Sequence, residues 1–161
     1  MVPDLPETLY APEQLKACFF EMEALVAWRR RQEIKHKSGS PVQAVPDFAL
    51  STELTGLLGP TDVAAAMTTV QMEQWQGHLQ RWLDQPVTHL TFAAPVPPAT
   101  KLAMIRWFRA NTSPGALLKF EVNRNIVGGM VVRTPGKIID LSFRRRLVER
   151  KGLIADILNR V

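Results

Sequence analysis

The run Ile126-Val127-Gly128-Gly129-Met130-Val131-Val132-Arg133-Thr134-Pro135-Gly136-Lys137-Ile138-Ile139-Asp140-Leu141-Ser142 leaves this chain few choices of fold. Val131 and Val132 precede a Pro-Gly pair, and Ile138 and Ile139 follow it. All four are β-branched and suit a pleated surface. Thr134-Pro135-Gly136-Lys137 fits a type II turn, with Pro presetting φ at the second position and Gly taking positive φ at the third. The stretch therefore reads as a β-hairpin. Gly128 and Gly129 lie inside the strand pattern, where glycine weakens a strand unless a bulge or a close backbone approach needs it. Ser142, after Asp140, is a good N-cap for the helix expected next. That helix begins Phe143-Arg144-Arg145-Arg146-Leu147 and continues through Arg150 and Lys151. Phe143, Leu147, Ile154, Leu158 and Val161 fall near one face, and Gly152 implies a kink or fray.

The chain before this stretch changes character at Gln85-Pro86. Residues 1–85 hold seven Lys/Arg and eleven Asp/Glu, a net of −4, whereas residues 86–161 hold thirteen and four, a net of +9. A helical domain over 1–85 and an α+β domain over 86–161 are expected. In the first, a helix starts near Pro12 and runs to about His36, with Leu15, Phe19, Met22 and Val26 as its apolar stripe. Trp28 reads as core and Arg29-Arg30-Arg31 as a solvated end. A loop follows, with Gly39, Pro41 and Pro46. A short helix over Ser51–Leu58 stops at Gly59-Pro60. A longer helix, capped by Thr61 or Asp62, is expected to run to about Asp84 with Val63, Met67 and Val70 in its stripe. This half reads as a small helical bundle or hairpin.

In the second half, Val87–Phe92 reads as a strand. Pro95, Pro97 and Pro98 open a helix with Leu102, Ile105 and Phe108 at intervals of three. Leu118, Phe120 and Val122 alternate with Lys119 and Glu121, a half-buried strand. With the hairpin and the last helix the order is βαβββα, an α+β unit with helices on a mixed sheet.

With 161 residues the chain buries about two thirds of its unfolded surface, so a core is available without staples. Cys18 is the single cysteine, sits among Leu15, Phe19 and Met22, and reads as a buried thiol. The start of the chain, with Pro3, Asp4, Pro6 and Glu7, does not read as a signal peptide. No apolar run approaches the roughly 18 residues of a membrane span. These features point to a soluble, reducing compartment. His36, His78 and His89 stand apart without partners at ligand spacing, so no metal site is expected. There is no phosphate-binding glycine loop and no nucleophile elbow. Asp140 is the one acid weighed for catalysis, and a role in orienting the turn before the last helix is the better reading. No catalytic residue, cofactor or metal is expected.

The glycine–hairpin–Asp-x-Ser–arginine order resembles the C-terminal motif of the delta subunit of F-type ATP synthases, the oligomycin-sensitivity-conferring protein of mitochondria. The resemblance covers roughly the last 75 residues, from about Val87. One position departs from it: Leu141 stands where the family has glycine. The resemblance implies a non-catalytic peripheral-stalk subunit at the soluble face of an energy-coupling membrane, in bacterial cytoplasm or organelle matrix. It implies a motif of Gly128, Gly129, Pro135, Gly136, Asp140 and Ser142. It also implies b-type stalk helices and the alpha subunits of the catalytic head as partners. Arg144, Arg145, Arg146, Arg150 and Lys151 are the candidates for meeting acidic residues on a stalk helix. Fewer residues precede Val87 than the family's N-terminal bundle has, and no head-binding residue is assigned.

Two other readings stand beside it. A basic second half with Trp28 next to arginines is compatible with nucleic-acid binding, although no recognised module is present and none is expected. A stalk component of a V-type or export ATPase is the nearer alternative.

Overall fold

The structure, a computed structural model, describes residues 5–144 and 148. The chain divides into two compact units, Met1–Gln85 and Pro86–Val161. A helix-rich region is followed by a four-stranded mixed sheet with a helix, an α+β arrangement.

The first unit contains α1 (Pro12–Lys37), α2 (Thr52–Leu58), α3 (Thr61–Ala66) and α4 (Thr69–Leu83). Pro12 opens α1 where its missing N–H costs nothing, and the Gln14 side chain reaches back to accept from the Ala11 N–H at 3.1 Å. The inner face of α1 buries Leu15, Cys18, Met22, Leu25, Val26 and Trp28. Phe19, expected in that stripe, is only half-buried, and Cys18 takes its place in the core. Leu54 of α2 and Met72, Leu79 and Trp82 of α4 complete the core. α1 and α4 run antiparallel: Arg30 pairs with Glu73 at 2.7 Å, and Glu33 accepts from the Thr69 hydroxyl one turn further. α2 is tied to α1 through the Ser51 N–H, which donates to Glu21 Oε2 at 2.8 Å. Ser51 also caps α2, accepting from the Leu54 N–H.

The single long helix expected from Thr61 to Asp84 is instead two. Met67 (ψ 149°) and Thr68 (ψ 155°) are extended between α3 and α4. Thr68 starts a new helix: its hydroxyl accepts from the Gln71 N–H while Gln71 Oε1 accepts from the Thr68 N–H at 2.9 Å. Two donors that the break would orphan are satisfied reciprocally, so the new helix start costs little. The break also rotates the stripe. Val63 and Val70 are exposed, and Ala64, Ala65 and Met72 face the core instead.

The second unit contains β1 (Val87–Phe92), α5 (Pro98–Asn111), β2 (Leu117–Val122), β3 (Met130–Thr134) and β4 (Lys137–Asp140), in sheet order β2-β1-β3-β4. β1 pairs parallel with β2 and antiparallel with β3, and β3 pairs antiparallel with β4. A parallel pair needs a crossover, which α5 supplies. The register sets Thr88, Leu90 and Phe92 on one face with Leu118, Phe120, Met130, Val132 and Ile139. Leu90, Leu118 and Val132 are buried there, and Lys101 of α5 lies over the Phe120 ring at 5.6 Å, which places α5 on this face. The opposite face carries His89, Lys119, Glu121 and Arg133, with Glu121 3.5 Å from His89 and 3.7 Å from Lys119.

Two strand expectations need correcting, the alternation in β2 and the turn type at Gly136. Leu117, outside the expected alternation, is buried, whereas Val122, the last residue of β2, is exposed. Ile138 and Ile139 lie exposed on the other edge strand, β4. Gly136 does not take positive φ, so the turn is not type II. The Thr134 hydroxyl closes it from the side, accepting from the Lys137 N–H and donating to the Lys137 carbonyl, both at 3.1 Å. The expected last helix falls outside the described residues beyond Arg144, apart from Val148.

Candidate functional site

The residues singled out in the sequence gather at the neck of the β3–β4 hairpin. Past the Val131–Asp140 pair the ladder does not stop. The Leu141 N–H donates to the Met130 carbonyl and the Phe143 N–H to the Gly128 carbonyl, each at 2.9 Å. The incoming and outgoing chains therefore run backbone to backbone. Gly128 and Gly129 lie just before β3 rather than inside it, and both take positive φ, 150° and 80°. Neither position has room for a side chain. A Cβ on Gly129 would strike the Leu141 carbonyl oxygen and come within 3.1 Å of Ser142 Cα; a Cβ on Gly128 would enter the Phe143 ring. Close backbone approach is the reason for the glycine pair.

Asp140 and Ser142 lock the other side of the neck. Asp140 Oδ1 accepts from the Ser142 N–H at 2.8 Å, an Asx turn that bends the chain as β4 ends. Ser142 is buried and directly precedes helical residues Phe143 and Arg144, the position read for it as an N-cap. No non-glycine residue among those described takes positive φ, Leu141 included. The structure thus brings Gly128, Gly129, Asp140 and Ser142 together. Pro135 and Gly136 sit at the far end of the hairpin. Arg144 is exposed beside the neck; Arg145, Arg146, Arg150 and Lys151 lie outside the described residues.

At this neck Val127 (66%), Phe143 (51%) and Leu141 (46%) are exposed, and Ile138 (62%) is exposed nearer the hairpin turn, opposite Arg133. Sequence reading placed Ile138 in an apolar hairpin strand and Phe143 near one face of the last helix. The exposure of Ile138 goes with the edge position of β4, which no local signal reports. What such a site can do is hold a fixed apolar surface toward a partner.

Two titratable side chains of the first unit have shifted pKa values. Cys18 is fully buried, and desolvation raises its pKa from an ordinary 9.0 to about 11; Glu21 and Glu53 add to this, while a hydrogen bond with Ser51 opposes it. A thiol held protonated is a poor nucleophile. Burial, and then Arg81, lowers the pKa of His78. Trp28 is 3% exposed and presents no face on which a base could stack. Among the described residues no group of three His, Cys, Asp or Glu side chains could hold a metal ion, and no helix is long and apolar enough to cross a membrane.

No protein-family model and no curated protein matches the sequence. Among solved structures, the chain is similar to a subunit chain in a cryo-electron-microscopy structure of the Polytomella F-ATP synthase. The identity is 10% and the TM-score 0.36, over 47% of this chain and 96% of that one. A likeness at that level carries no argument about what this chain does.

Proposed function

We propose that the chain is a non-catalytic peripheral-stalk subunit of an F-type ATP synthase, linking the catalytic head to b-type stalk helices and resisting rotor torque. The observation that carries this reading is the neck. Gly128, Gly129, Asp140 and Ser142, the residues of the delta-like motif, form one interlocked structure in which each has a physical task. A stator must transmit force without yielding, and a double backbone ladder with no side-chain slack is suited to that. Beside it, Val127, Leu141 and Phe143 offer apolar surface to a helix. Burial of such surface yields about 25 cal/mol per Å². Arg144, with Arg145, Arg146, Arg150 and Lys151 following in sequence, supplies positive charge to orient an acidic stalk helix. The proposed setting is the soluble face of an energy-coupling membrane, with the chain held there through the complex.

The test is affinity purification of the tagged protein from its native membranes in mild detergent, followed by mass spectrometry. Recovery of alpha, beta and b subunits supports the reading. Recovery of V-type or export components, or of nucleic acid, without synthase subunits overturns it.

A further inference from the structure

The outward side of α1 carries a second stripe, apolar but for Arg31, that none of the described elements covers. Ala17, Phe20, Ala24, Ala27, Arg31 and Ile34 recur at alternating intervals of three and four, and every one is exposed. Phe20 is 65% and Ile34 67% exposed, and the Phe20 ring stands edge-on to that of Phe19 at 6.2 Å. At about 100° per residue this stripe lies opposite the buried Leu15, Cys18, Met22 and Leu25. The spacing is that of the a and d positions of a coiled coil.

We propose that this seam docks a second copy of the chain, the two α1 helices pairing antiparallel about a two-fold axis. The seam is complementary to itself in that arrangement. Setting Ala24 against Ala27 of the second copy places Phe20 against Arg31 and Ala17 against Ile34. The alanines at the centre let the backbones approach closely. The Arg31 guanidinium meets the face of an exposed Phe20 ring, a cation–π contact made twice by symmetry. Ile34 meets a small residue, as interdigitating layers require. The same register brings Glu23 beside Arg30 of the second copy, again twice. Arg30 is available for this: it lies on the surface, where it pairs with Glu73 at 2.7 Å, and its five donors can serve two carboxylates. A parallel pairing in register sets Arg31 against Arg31 and forfeits these contacts. The outermost antiparallel pair, Lys16 with Lys37, is like-charged but lies at the solvated helix ends. This inference does not rest on the stalk reading.

The experiment is sedimentation equilibrium of the full chain over a concentration series reaching about 1 mM. The wild-type chain is expected to form a reversible dimer. Glu23→Arg and Arg30→Glu, each alone, set like charges together twice and are expected to raise the dimer Kd about tenfold. Mixed in equal amounts, the two variants are expected to recover wild-type affinity, because the arginine placed at 23 meets the glutamate placed at 30. Phe20→Ala, a truncation of an exposed side chain, is expected to weaken the dimer as well. Far-UV circular dichroism checks that each variant is folded. A monomer across the whole series, a dimer indifferent to all three substitutions, or variants that fail to rescue one another would overturn the proposal.

Discussion

The Phe143 amide donates to the Gly128 carbonyl at 2.9 Å, and the space a Gly128 Cβ would occupy is filled by the Phe143 ring. One residue therefore fixes the other twice, by hydrogen bond and by volume. At Gly129 only the volume is fixed, by the Leu141 carbonyl oxygen; the Leu141 amide donates to Met130 instead.

Gly129→Val is expected to destabilise the second unit severely. The obstacle is backbone, which cannot swing aside, and φ of 80° is hostile to a β-branched residue. Overpacking costs about 1–3 kcal/mol and the left-handed conformation about 1–2 more. A unit of this size loses roughly 4–8 °C per kcal/mol, so differential scanning calorimetry should show a drop of at least about 8 °C. Gly136→Ala is the control. It has no positive φ and open space around it, and the melting curve should stay within a few degrees of wild type. Equal behaviour of the two variants would remove the close-approach account.

Asp140→Ala removes the acceptor that holds the Ser142 N–H. A loss of about 1–2 kcal/mol in urea denaturation is expected. Asp140→Asn retains an oxygen at the same position and should recover about half of that or more. If both variants lose the same amount, charge rather than the turn is what matters there.

Cys18 predicts an alkaline signature. Its thiol titrates near 9.0 when unfolded and at about 11 in the fold. Between those values the unfolded chain has released the proton and the native chain still holds it. Stability is therefore full below pH 9 and falls as pH rises toward 11. Cys18→Ala should show a shallower decline over that window, measured by urea midpoint. Thiol reagents at pH 8 should label the native protein only as fast as it opens.

Thr68→Ala takes away the cap that begins α4. About 1 kcal/mol of stability should go with it, read from the urea transition of the first unit. Thr68→Ser, which keeps the hydroxyl, should be nearly silent. A Thr68→Ala variant as stable as wild type would mean that tertiary packing alone sets the break at Met67.

The helix-then-sheet order was legible because its signals are local. Pro12 opens α1, Ser51 caps α2, and Val87–Phe92 forms a strand with the bounds its composition implies. The break at Met67-Thr68 was hidden by apolar residues that continue across it. Only the Thr68-x-x-Gln71 cap signature marks it. The turn at Pro135-Gly136 was misassigned because a Thr134 side chain, not backbone preference, closes it. The glycine pair, Asp140 and Ser142 were visible as a pattern, but their mutual contact depends on chain segments more than ten residues apart. The exposure of Ile138 follows from strand order, which no single window of sequence carries. The outward seam of α1 was present in the spacing of Ala17, Phe20, Ala24, Ala27 and Ile34, masked by an equally regular stripe on the inner side.

The central place of β1 in the order β2-β1-β3-β4 has a consequence for synthesis. The strand made first must pair on both sides with strands made later, one after a helical crossover and one after β2 itself. As the chain leaves the ribosome, one edge of Val87–Phe92 stays open until Val122 has emerged and the other until Thr134 has. The β3–β4 hairpin, by contrast, closes on itself within microseconds. The β1 edge that β3 covers is thus open the longest, and that interval is when an unpaired strand is most exposed to the wrong partner.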